Sequence, residues 1–139
     1  MIVVDASDLI LGRLATDVAK RVLLGENIEL VNCEKAVITG NKKMVLNKYQ
    51  QRRERGTPSK GPFFPRRADM LVRRAIRGML PYKQKKGREA FKRIKCHIGV
   101  PKELENQKME TIENANMSKL TTQKYIKVGE LSKLLGAKL

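Results

Sequence analysis

One histidine, two cysteines and six aromatic residues among 139 rule out several functional classes at once. Cys33 and Cys96 are separated by 62 residues and form no CxxC pair. With only His97 to join them, a zinc site lacks ligands. Six aromatics are too few for a sheet that stacks bases on rings, so any nucleic-acid recognition leans on phosphate charge and shape. No apolar run approaches the roughly 20 residues of a membrane span. The start, MIVVDASDLILGRLA, carries Asp5 and Asp8 and has no basic residue before its apolar stretch, unlike a secretory signal. The expectation is a soluble, cytoplasmic, reduced protein with no membrane partner, no small-molecule substrate and no cofactor or metal.

Acidic residues are the other shortage, and it is local. Thirty Lys and Arg against fourteen Asp and Glu leave +16, a self-repulsion usually tolerated where a polyanion is the working environment. Residues 42–95 hold nineteen of the cations and only Glu54, Asp69 and Glu89. The remaining residues hold eleven of each sign. A neutral body with one basic segment reads as a scaffold presenting an electrostatic face.

The length suits one domain over 1–139. Ile2–Val4 is a short β-branched run. Leu11, Leu14, Ala15, Val18, Ala19 and Val22 then fall on one helical face, Gly25 stands where a left-handed C-terminal cap is common, and Ile28–Val31 reads as a second strand. Strand, helix and strand in this order predict a crossover onto a parallel sheet. Residues 36–39 extend the strand region or form a short element of their own. A basic helix is expected over 42–55 with Val45, Leu46 and Tyr49 inward, and a loop over 56–67, where Gly and Pro exclude regular structure. Further helices are expected over 68–79 and around 88–93, then a strand in IKCHIGV. Residues 102–126 are polar, with four lysines against four glutamates, and predict a meandering peripheral arm. A C-terminal helix over about 128–135 carries Leu131, Leu134 and Leu135 and is closed by Gly136. The fold class expected is three-layer α/β/α around a small, mostly parallel four-stranded sheet.

At about 100° per residue, Arg66, Arg67, Arg73, Arg74 and Arg77 share about a third of a helix circumference. Ala68, Leu71, Val72, Ala75, Ile76 and Met79 take the opposite side. One face packs while the other projects guanidinium forks suited to phosphate. A solvated surface helix is the plain alternative, but such faces mix signs, and here only Asp69 interrupts. The candidate RNA-binding residues are Lys42, Lys43, Lys48, Arg52, Arg53, Arg55, Lys60, Arg66, Arg67, Arg73, Arg74, Arg77, Lys83, Lys85, Lys86, Arg88, Lys92 and Arg93. Phe63 or Phe64 offers a ring to a base; otherwise both plug the core.

Catalytic readings find little support. The strand–helix junction at Asp5–Leu14 has Gly12 but neither GxGxxG nor GxxxxGK[ST], and Asp5, Ser7 and Asp8 suit turn and N-cap roles. His97 beside a cysteine or serine is the one conceivable nucleophile–base pair, against a plain core or rim histidine. Clustered carboxylates for a metal-assisted attack on a phosphodiester are missing from the basic segment.

VDASDLILGRLAT, LVNCEKAVITGNKK and RRAIRGMLPYKQKKGREAFKRIKCHIGVP together resemble the large-subunit ribosomal protein L-thirteen family, in its archaeal and eukaryotic branch, over residues 2–101. The terminal LSKLLGAKL is similar too. The chain departs from the bacterial pattern in lacking an extension before the first strand and a His-rich segment after the last, and Cys33 stands where alanine is more familiar. The resemblance implies an α/β domain embedded in large-subunit ribosomal RNA beside neighbouring ribosomal proteins, joining assembly early and without catalytic activity, with Arg73 to Arg93 against the RNA. The alternative from another class is a nucleic-acid-processing enzyme or accessory subunit; a third is a DNA-binding regulator, for which no helix-turn-helix spacing is present.

Overall fold

The structure, a computed structural model, describes residues 1–138. Ile2–Asp5 forms β1, Leu11–Leu23 α1 and Ile28–Val31 β2. β1 and β2 pair in parallel, Ile2 opposite Ile28 and Asp5 opposite Val31. The expected crossover unit is present, and Gly25 ends α1 at φ 103°. Ile94–Cys96 (β4) adds in parallel to β2, and Met109–Glu110 (β5) adds in parallel to β1. The four-stranded sheet runs β4-β2-β1-β5. Val37–Thr39 (β3) is an element of its own and pairs antiparallel with Tyr125–Lys127 (β6).

Strand alternation sorts side chains onto the two faces. Val4, Ile28, Leu30 and Ile94 join α1, Ala68–Arg77 (α3), Lys85–Lys92 (α4) and Val128–Leu134 (α5) in the main core. Val3 and Val31 point the other way, onto Leu104, Val100 and Met109. The fold is three-layer α/β/α with unequal outer layers, the thin one built from the segment around the 3₁₀ turn Lys102–Leu104.

Residues 102–126 do meander, but they are not only peripheral: Leu104 and Ala115 are buried, and β5 extends the main sheet. Lys42–Glu54 (α2) buries no residue, so Val45, Leu46 and Tyr49 rest only partly against the core. Leu131 and Leu135 are buried, whereas Leu134, expected to join them, is 51% exposed. The N-cap position of α1 is Ile10 with no side-chain cap. Asp5 instead accepts from Ser7 N, Ser7 Oγ and Asn32 Nδ2, a loop clasp in place of the expected cap.

Candidate nucleic-acid interface

The basic segment divides by what its cations touch. α3 begins only at Ala68, after an extended Arg67. Arg66 and Arg67 therefore precede the helix, and the five-arginine face reduces to Arg73, Arg74 and Arg77. Met79, expected on the apolar side, lies past the helix and is exposed, and Leu80 is buried in its place.

Four of the expected RNA-facing residues are engaged within the protein. Arg53 Nη1 donates to Leu135 O at 2.6 Å, the C-cap residue of α5, where free carbonyls and the negative end of the helix dipole favour a cation. Arg93 Nη1 donates in the same way to Val22 O in the last turn of α1, at 2.9 Å. Arg67 pairs with Asp69 at 3.3 Å and Lys42 with Glu130 at 3.6 Å. Arg66 is a fifth special case. Its carbonyl accepts from Ser132 Oγ at 2.6 Å, and its guanidinium, like that of Arg53, sits 3.7 Å from where a Cβ on Gly136 would stand.

A second group is laid on aromatic rings. Arg73 stands 4.0 Å from the Phe91 centroid, Arg77 4.7 Å from Tyr82, Arg74 5.6 Å from Phe64, and Arg52 5.4 and 5.9 Å from Tyr49 and Phe64. Such stacking fixes a guanidinium while leaving its edge donors available. Burial, then the charges of Arg77 and Arg52, hold the Arg74 guanidinium below its ordinary pKa. Sequence reading missed these platforms; the cue was a ring beside each cation, Tyr49 three residues before Arg52 and Tyr82 five after Arg77. Phe64 is half-buried against the core and Phe63 is 72% exposed, so neither ring fills the interior.

The third group, Lys43, Lys48, Arg55, Lys60, Lys83, Lys85, Lys86, Arg88 and Lys92, is exposed. None of these enters an ion pair among the described residues. Outside the segment Arg21 meets Asp17, Glu26 and Glu110, and Lys127 meets Asp8.

The family model described as Ribosomal protein L13 matches residues 1–103. The chain belongs to the ribosomal protein L13 family. It is 50% identical to a protein of Methanosarcina barkeri over 139 residues, covering 99% of each chain. It is 54% identical to one of Methanocaldococcus jannaschii over 142 aligned residues, again 99% of each. A relative from Methanopyrus kandleri is 51% identical over 136 residues, 96% of this chain and 86% of the relative. All three are named large ribosomal subunit protein uL13. The L13 match includes the whole basic segment, and these archaeal relatives carry the similarity through the β3–β6 pair and α5.

In this L13 chain the residues considered for catalysis have structural partners. Cys33 N donates to His97 O at 3.2 Å, and Cys96 lies opposite Leu30 in the β2–β4 register. This brings the two cysteines together despite their separation in sequence. A hydrogen bond with Cys33, then burial, pushes the Cys96 thiol well above its ordinary pKa, the reverse of an activated nucleophile. His97 Nε2 sits 2.9 Å from Glu29 Oε2 as a rim histidine. Among the described residues no group of three or more His, Cys, Asp or Glu is placed to hold a metal. No helix of the described residues is long and apolar enough to cross a membrane.

Proposed function

We propose that this chain is a structural constituent of the large subunit of cytoplasmic ribosomes, and that its neutral α/β body positions segment 42–95 against folded large-subunit rRNA and helps that RNA fold. As a member of the L13 family it is a component of the ribosome rather than an enzyme. The observation that carries the RNA-binding reading is the unequal distribution of charge: residues 42–95 hold nineteen cations against three acids, while the rest of the chain balances at eleven of each sign. Among the described residues only Lys42, Arg67 and Lys95 of the segment's cations meet a carboxylate. Phosphate supplies what the others lack, because a carboxylate-poor cationic surface gains most from the counterions a nucleic acid releases.

Within this reading the exposed lysines, with Arg55 and Arg88, supply sequence-independent charge, and Arg52, Arg73, Arg74 and Arg77 supply oriented forks. Arg53 and Arg93 act mainly inside the protein, holding helix ends. Neighbouring ribosomal proteins are the other expected partners. Sucrose-gradient sedimentation of a lysate tests the assignment: the chain should travel with large subunits, and a chain remaining at the top of the gradient contradicts it.

A further inference from the structure

Arg52, Arg74 and Arg77 approach one another around a cleft of about 420 Å³, walled also by Phe64 and Tyr82. That volume is within the roughly 300–1,000 Å³ of small-molecule sites. The arginines that bond to protein acceptors through their side chains are Arg13, Arg21, Arg53 and Arg93, and those in ion pairs are Arg21 and Arg67. Among the described residues the arginines that line the cleft, Arg52, Arg55, Arg74 and Arg77, are therefore uncompensated by protein. Arg77 Nε is enclosed and has no hydrogen-bond partner among the described residues.

Like charges held together without a carboxylate repel one another, and at Arg74 the charges of Arg77 and Arg52 add to the larger effect of burial in lowering its pKa; an anion among them converts that repulsion to attraction. Their stacking on Phe64, Tyr49 and Tyr82 fixes the forks before a ligand arrives, so less rotamer freedom is lost on binding.

We propose that this cleft is a pocket for one unstacked ribonucleotide of the rRNA, its phosphate held by Arg52, Arg74 and Arg77 and its base laid against the Phe64–Tyr82 wall. The pocket rests on the RNA-binding reading and adds to it. It separates one shape-reading anchor from the diffuse charge of the exposed lysines, since RNA is read where bases leave the helix and stack on rings or guanidinium planes.

Two charge-matched probes, uridine 5′-monophosphate and inorganic phosphate, test it by NMR of the full chain at constant ionic strength. The nucleotide should shift the Arg74 and Arg77 Nε–H signals and the Phe64 ring signals. It should half-saturate at a concentration at least about fivefold below that of phosphate, as one stacked base implies. Equal responses to both probes, or shifts spread evenly over the lysines, overturn the pocket. With large-subunit rRNA, Arg77→Lys and Tyr82→Leu should each weaken binding about tenfold while the salt dependence stays as in the wild type. Wild-type affinity in both variants overturns the pocket but spares the basic face, whereas failure of the unmutated chain to bind rRNA defeats the functional reading itself.

Discussion

Arg73 lays its guanidinium 4.0 Å from the centroid of Phe91, and that stack ties α3 to α4 on the basic side of the molecule. A partly exposed cation–π pair contributes about 0.5–1 kcal/mol. A double-mutant cycle of Arg73→Gln and Phe91→Leu in urea denaturation should return a coupling of that size. A coupling near zero would show the two side chains to be independent.

Arg53 and Lys48 lie on the same helix and should separate two uses of positive charge. Arg53→Gln removes the bond to Leu135 O and should cost about 1–2 kcal/mol of stability. Lys48→Gln, at an exposed position, should change stability by less than about 0.5 kcal/mol and lower the salt sensitivity of RNA binding by about one contact. Equal stability losses in chemical denaturation would contradict the division.

Gly87 is buried in α4, and a Cβ there would stand 1.9 Å from Pro81 O. Alanine is favoured over glycine in a helix by about 1 kcal/mol, but the clash is with main chain. Overpacking at roughly 1–3 kcal/mol should win, so Gly87→Ala should lower the Tm by several degrees. A raised Tm would mean that the Pro81 turn yields freely.

Burial alone would raise the Asp5 carboxyl, but hydrogen bonds from Ser7 and Asn32 outweigh it and leave the pKa below its ordinary value. A lowered carboxylate pKa contributes stability above the unfolded value and loses it as pH falls through the folded one. Asp5→Asn should therefore be less stable than wild type near neutrality, and the gap should close as the solution becomes strongly acidic. A gap independent of pH would mean that ionised Asp5 has no special role.

The parallel β1–α1–β2 unit was legible because its period and β-branched runs are local signals. The strand pair β3–β6 was not, for Val37 and Lys127 are brought opposite by the whole intervening chain, and two strands of three residues carry little periodicity. β5 was hidden for the same reason, a two-residue edge strand inside a polar arm. At the site, charge concentration was visible in composition, but its allocation was not. Arg53 on Leu135 O and Arg93 on Val22 O depend on which helix ends lie nearby, and a helical wheel drawn from Arg66 could not know that the helix begins at Ala68.

Titrating the affinity for large-subunit rRNA against salt tests the central claim most directly. If about eight phosphates are neutralised by segment 42–95, log affinity should fall against log salt with a slope of about −6 to −7. The slope should become distinctly shallower when Arg73, Arg74 and Arg77 are reversed to Glu in a chain whose circular dichroism is unchanged. A slope near −1 in the unmutated chain, or an unchanged slope in the folded triple variant, would contradict the account.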